Sequence, residues 1–250
     1  MSGHDTICII LAGGQGTRMK SDLPKVLHCL EGRPLIHYVV ECALKAGLER
    51  NVVVVGFQKE KVIEALRDYP VQFAVQMEQN GTGHAVQMAL VAIPERNGSV
   101  VVLAGDAPFL RASTLKAFVE EHAASGSDCT VLTAVVPDPH GYGRIVRDAG
   151  GHMTAIVEHD DCTETERRIH EVNSGMYCFK LPSLISCARL LTDDNVQGEL
   201  YLTDVVSIMR SKGMTLGTFS APDWREMLGI NTVEQLKQGG AILNALREEA

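Results

Sequence analysis

The residues best suited to chemistry lie in one stretch, Ile7–Lys25, read as ICIILAGGQGTRMKSDLPK. The apolar run Ile7-Cys8-Ile9-Ile10-Leu11 passes straight into Ala12-Gly13-Gly14-Gln15-Gly16. Small residues after a strand let backbone N–H groups converge on an anion, phosphate above all. Thr17 adds a hydroxyl, Arg18 and Lys25 add cations, and Pro24 fixes the backbone just before Lys25. A phosphate site is the reading these residues support. Neither common phosphate loop fits. A Walker loop needs Gly-Lys-Ser/Thr where Arg18-Met19-Lys20 stand, and the dinucleotide fingerprint needs Gly where Met19 stands. By spacing alone, a tight strand-to-helix turn with chance cations is the competing account.

Two further places carry usable groups. Gly105-Asp106 follows the apolar run Val100–Leu103. In open α/β sheets ligands sit at the carboxyl ends of strands, so a carboxylate there is placed to hold Mg²⁺ against a phosphate. Mg²⁺ takes one or two protein oxygens and fills its octahedron with water and phosphate. A lone Asp at a strand end otherwise caps a turn or helix. Gln76-Met77-Glu78-Gln79-Asn80-Gly81-Thr82-Gly83-His84-Ala85 leads from a strand into a helix. The Gln76 amide has a donor and an acceptor that can pair with a pyrimidine edge; without context it reads as a surface glutamine at a capped helix start. His84 reads as structural. There is no Ser-His-Asp or Cys-His signature for acyl chemistry.

These groups need a scaffold that brings strand ends together. Apolar and β-branched runs predict strands at Ile7–Leu11, Asn51–Val55, Val71–Val75, Ser99–Leu103 and Thr130–Val136. Helices are expected over Pro34–Leu44, Lys59–Arg67, Thr82–Ile93 and Ala112–Ala124. Such alternation implies a parallel sheet covered on both faces. The second half changes character. Arg144–Arg147 and Met153–Glu158 flank Asp148-Ala149-Gly150-Gly151, a hairpin with a four-residue turn. A long strand follows at Glu171–Phe179, then helices at Pro182–Leu191 and Tyr201–Lys212, a strand at Thr215–Phe219 and a closing helix at Val233–Glu248. The expected architecture is α/β and Rossmann-like: a mixed, mostly parallel sheet flanked by helices, with an antiparallel insertion. One domain is expected over 1–250, with a nucleotide-binding half at about 1–135 and a sugar-binding half at about 136–250.

The chain has 250 residues and a net charge of −8. That charge argues against a general nucleic-acid or membrane-surface binder, so any phosphate site is locally basic on an acidic body. Cysteines at 8, 29, 42, 129, 162, 178 and 187 show neither a Cys-x-x-Cys pair nor zinc spacing, and free thiols are expected. No run has the length of a signal peptide or membrane span, and a cytoplasmic protein is expected.

Leu11-x-x-Gly14-x-Gly16-Thr17-Arg18-Met19 followed by Pro24-Lys25 resembles the loop of sugar-phosphate pyrophosphorylases. Its continuation Ser21-Asp22-Leu23-Pro24-Lys25-Val26-Leu27-His28 resembles the N-acetylglucosamine-1-phosphate uridyltransferase family, and the resemblance runs from Ile7 to about Val233. It implies transfer from UTP to N-acetylglucosamine 1-phosphate, with Arg18 and Lys25 as the catalytic cations. The implied metal is Mg²⁺ on Asp106 and on Asn231 of Gly229-Ile230-Asn231. Gln76, Gly81 and Thr82 would hold uracil. Gly143, Glu158 and Asn173 would face the sugar. The full implied substrate-binding set is Leu11, Ala12, Gly13, Gly14, Lys25, Gln76, Gly81, Thr82, Ala104, Gly105, Asp106, Gly143, Glu158, Asn173 and Asn231. Gln197-Gly198-Glu199-Leu200-Tyr201-Leu202-Thr203-Asp204 would close the site. Gly13 stands where the family has Ala, and Ala104 where it has a bulky Tyr. They keep open another sugar phosphate or another nucleotide; a nucleotide-sugar binder without turnover is the alternative of another class, and the intact Arg18, Lys25, Asp106 and Asn231 speak against it. No hexapeptide repeat is present, so neither the family's acetyl transfer nor its trimer is expected. A monomer or weak homo-oligomer is the expectation.

Overall fold

The structure is a computed structural model and describes residues 6–195 and 197–248. The first half runs β1 (Thr6–Ala12), a small hairpin of β2 (Cys29–Leu30) and β3 (Arg33–Pro34), α1 (Leu35–Lys45), β4 (Arg50–Val55), α2 (Lys59–Ala65), β5 (Val71–Val75), α3 (Thr82–Ala92), β6 (Ser99–Ala104), α4 (Ala112–Ser125) and β7 (Cys129–Val135). The second half runs β8 (Arg144–Arg147), β9 (Met153–Val157), α5 (Glu164–Arg167), β10 (Glu171–Lys180), α6 (Leu181–Ala188), α7 (Leu202–Ser211), β11 (Leu216–Ser220) and α8 (Val233–Glu248).

The main sheet has the order β11-β7-β10-β6-β1-β4-β5, with β8 pairing β10 and β9 pairing β8. Strands β6, β1, β4 and β5 are parallel, with Ile9 opposite both Val52 and Val102. Strand β7 points the same way as this parallel run but does not adjoin it. Antiparallel β10 lies between β6 and β7. The chain returns from the β8–β9 hairpin in the opposite direction, so β10 fills that position reversed. Because β10 opposes both neighbours and β11 runs parallel to β7, strands β6, β7 and β11 all point the same way. Their carboxyl ends meet at one edge.

Successive residues of β1 serve opposite faces. Ile7 and Ile9 pack with α3, α6 and α7, while Cys8 and Ile10 pack with α1, α2 and α4. A strand buried on both faces must be apolar throughout, which is why Ile7–Leu11 shows no alternation. A third cluster seats α8 through Leu243 and Leu246 against Leu30, Leu35, Phe109 and Ile230. The hairpin turn is longer than expected: Asp148–His152 closes through Asp148 N donating to His152 O at 2.9 Å. The pairing of β10 with β7 shifts register between Asn173 and Tyr177. All seven cysteines are free, and only Cys29 is exposed. Among the described residues no helix is long and apolar enough to cross a membrane.

Candidate active site

Strand β1 delivers the glycine loop. Gly16 adopts a left-handed conformation at φ 70°, and a Cβ there would lie 2.5 Å from Lys25 Cβ. Gly16 is therefore needed twice, for its backbone and for the approach of the Lys25 stem. Arg18 lies in a single 3₁₀ turn, Thr17–Met19, anchored by buried Met19. Lys25 opens a second such turn, whose Val26 and Leu27 are buried. The backbone of each cation is thus held by an apolar neighbour in the core.

Four segments converge here. Lys25 Nζ forms an ion pair with Asp106 Oδ2 and donates to Asn231 Oδ1 at 2.9 Å. Arg18 Nη2 donates to the same Asn231 oxygen at 3.2 Å. The Asp106 and Asn231 loops are stitched by Ile230 N donating to Asp106 O at 2.9 Å. Asp106 and Asn231 offer one carboxylate and one amide oxygen, a hard oxygen pair suited to Mg²⁺. No cluster of three or more His, Cys, Asp or Glu that could hold a metal occurs among the described residues. Any ion held here must complete its shell with water or ligand oxygens.

Gln76, Gly81 and Thr82 form a second group beside Gly13. Gln76 is 4% exposed, a buried amide rather than a surface one. Its Nε2 donates to Gly81 O at 3.0 Å and lies 3.3 Å from His84 Nδ1. Its Oε1 would be only 2.8 Å from a Cβ at Gly13, which gives the glycine at that position a local reason. Thr82 Oγ1 accepts from Leu202 N at 3.1 Å, so its hydroxyl pins the start of α7. Gly83 N donates to Leu200 O at 2.7 Å. The Leu200–Leu202 strap therefore lies over the start of α3.

Gly143, Glu158 and Asn173 form a third group. A Cβ at Gly143 would lie 3.3 Å from Glu158 Oε2 and 3.6 Å from Asn173 Cβ. The Asn173 amide is used within the fold: Nδ2 donates to Tyr177 Oη at 2.8 Å, and Oδ1 accepts from Gly175 N at 3.0 Å. Glu158 titrates above the usual carboxylate range, chiefly because it is desolvated. Asp161, Asp204 and Asp160 push it further up, against a hydrogen bond from Thr203. Burial, and then the charges of Asp106 and Asp138, raise the pKa of Tyr142, which precedes Gly143. Ala12, Gly13 and Gly105 are buried, Leu11 and Ala104 half-buried, and Gly14 exposed along the same edge. A cavity of about 970 Å³, lined by Thr6, Gly98 and Ser99 among others, opens at the opposite ends of β1 and β6 and holds none of these residues.

His84, read as structural, hydrogen-bonds within the fold, with Nδ1 near Glu78 O and the Gln76 amide. One feature was missed by sequence reasoning. Glu226, fully buried, accepts from Arg111 N at 3.0 Å, Nε at 3.0 Å and Nη2 at 2.6 Å. This pair clamps the Asp106 loop to the Asn231 loop. No local signal in the sequence marks it.

The chain is 46% identical to the bifunctional protein GlmU of Heliobacterium modesticaldum over 240 residues, 96% of this chain and 52% of that protein. It is 50% identical to the bifunctional protein GlmU of Streptomyces coelicolor over 240 residues, 94% of this chain and 50% of that one. The chain spans about half the length of the curated relatives it matches. Among solved structures, a Bacillus anthracis protein assigned as a glucose-1-phosphate thymidylyltransferase, in complex with sucrose, superposes with a TM-score of 0.76. That match covers 95% of each chain at 21% identity, and shows a shared fold. Residues 8–170 match the MobA-like NTP transferase domain, and the chain belongs to that family.

Proposed function

We propose that this chain joins UTP to N-acetylglucosamine 1-phosphate, giving UDP-N-acetylglucosamine and pyrophosphate. The observation that carries the reading is the meeting of Arg18, Lys25, Asp106 and Asn231 at one edge of the sheet. The family membership and the GlmU relatives support the same chemistry. A phosphate oxygen of the sugar attacks the α-phosphorus of UTP in line, and pyrophosphate leaves. No covalent enzyme intermediate is required, so the protein contributes positioning and charge stabilisation. Arg18 and Lys25 neutralise the phosphates as charge moves to the leaving group. Asp106 and Asn231 hold a divalent cation, which we take to be Mg²⁺. When bound, the ion neutralises and polarises the nucleotide phosphate. Gln76, with Gly81 and Thr82 behind it, reads uracil. Gly143, Glu158 and Asn173 line the sugar side, the Asn173 amide keeping one N–H and one oxygen lone pair beyond its bonds to Tyr177 Oη and Gly175 N. In this reading 1–135 serves the nucleotide and 136–250 the sugar, within one domain. Seven free thiols support a reducing cytoplasm. The protein would act as a monomer or weak homo-oligomer, without nucleic acid or membrane.

Pyrophosphate release over a matrix of nucleotides and sugar 1-phosphates tests the reading. The UTP and N-acetylglucosamine 1-phosphate pair should have the highest kcat/KM. A higher value for another pair would reassign the substrates, and no release from any pair would remove the catalytic reading.

A further inference from the structure

The two oxygens best suited to a divalent ion already have cationic partners within the chain. The Lys25 ammonium pairs with Asp106 Oδ2 and donates to Asn231 Oδ1. Arg18 donates to that same amide oxygen. An amide oxygen has two lone pairs, and cationic N–H groups fill both. The Lys25 and Asp106 side chains are only 20% and 14% exposed, so water and salt screen the contact weakly. The ammonium is also delivered rather than free to swing. Gly16 lets the lysine stem pass close, and Pro24 with buried Val26 fixes its backbone.

We propose that Lys25 is the resident cation of the ligand-free site, standing in for the divalent metal until a nucleotide arrives. This rests on the nucleotidyl-transfer reading above and adds an order to it. A divalent ion cannot share Asn231 Oδ1 with an ammonium and a guanidinium, because like charges at that range repel strongly. Metal alone therefore meets an occupied site. Nucleotide phosphates give Arg18 and Lys25 stronger partners than an amide oxygen. As both side chains turn to phosphate, Asp106 and Asn231 are released to the ion that travels with the nucleotide. Lys25 thus changes partner from carboxylate to phosphate, and the site's charge stays compensated throughout.

Mn²⁺ titration of the nucleotide-free chain, followed by electron paramagnetic resonance, tests this. The parent should bind Mn²⁺ weakly. Lys25→Met keeps the stem and removes the ammonium, and should bind Mn²⁺ about tenfold more tightly or better. Adding Asp106→Asn to that variant should cancel the gain. Lys25→Gln serves as a second variant if the first does not melt as a folded protein. Lys20→Met removes a neighbouring charge that holds neither oxygen, and should change Mn²⁺ affinity less than about twofold. Tight Mn²⁺ binding by the parent overturns the proposal. So does an unchanged affinity in both Lys25 variants, or an equal gain in Lys20→Met. Adding UTP to the parent checks the underlying reading separately. Absence of a protein-bound Mn²⁺–UTP complex removes that reading, whereas a complex with unchanged Lys25 variants removes the exchange alone.

Discussion

In the proposed reading, base choice turns on a single amide. The nitrogen end of Gln76 is directed into the protein, toward Gly81 O and His84 Nδ1, while Oε1 lies at the face of Gly13. His84 Nδ1 is also 3.0 Å from Glu78 O, so this ring nitrogen either donates to that carbonyl or accepts from Gln76. In both cases the Gln76 oxygen is left as a fixed acceptor. An acceptor suits the N3–H of uracil and opposes cytosine, whose N3 is itself an acceptor. Gln76→Ala should therefore raise KM for UTP and erase the preference for UTP over CTP. Leaving a buried hydrogen-bonding group unpaired costs about 1–3 kcal/mol, so roughly a tenfold effect is expected in steady-state kinetics. Discrimination equal to the parent's would take the base-reading role away from Gln76. Asp106→Asn keeps the side chain's size and removes its charge. Turnover should fall by more than about tenfold at limiting Mg²⁺, while calorimetric UTP binding changes only a few-fold. Parental turnover across the whole Mg²⁺ titration would reduce Asp106 to a cap.

At the scale of elements, helices and strands were legible where the pattern was local. Val71–Val75 and Val233–Glu248 begin and end where the sequence places them. What local pattern cannot encode is pairing. The register shift in β10 depends on its partner β7, and β2–β3 is too short to show a period. Helix α5 was readable and was passed over. Thr163 and Glu166 form a capping box, and that spacing is a start signal in its own right. Tertiary packing also sets the titration of His122, which joins α4 to β7 with Nδ1 2.8 Å from Thr130 Oγ1. Desolvation, helped by Lys180 and opposed by Asp128, lowers its pKa from 6.5 to about 4. Between those values the unfolded chain takes up a proton that the folded chain refuses. The His122 contribution is therefore complete above about pH 6.5 and is lost as pH falls toward about 4. His122→Gln cannot titrate and should flatten Tm against pH across that window. A Tm profile parallel to the parent's would show that other groups govern the acid side.

At the scale of the whole molecule, the site exists because distant segments return to one edge. The sequence shows Arg18, Lys25, Asp106 and Asn231 as separate strings, and only the resemblance groups them. The topology supplies the physical reason: β6 and β11 point the same way across β10 and β7, so the chain leaves both at the same end of the sheet, and the segment after β11 returns to the Asp106 loop, where Ile230 N donates to Asp106 O. The clamp that holds those loops was not legible. Arg111 and Glu226 lie 115 residues apart, and nothing near either residue signals a partner. Glu226 has no exposure, whereas the Arg111 side chain keeps 29%. Removing one partner of a fully buried pair costs about 3–5 kcal/mol, and the partial exposure of Arg111 reduces that here. Glu226→Gln keeps the shape but offers the guanidinium a neutral acceptor. Tm should fall by several degrees, at about 2–4 °C for each kcal/mol in a chain of this size. If the clamp also sets the spacing of the metal-side oxygens, the Mg²⁺ concentration for half-maximal turnover should rise about fivefold or more. KM for the sugar phosphate should stay near the parent's, and excess Mg²⁺ should restore much of kcat. Loss of Tm with an unchanged Mg²⁺ requirement would mean that the Ile230–Asp106 backbone bond alone spaces the two loops.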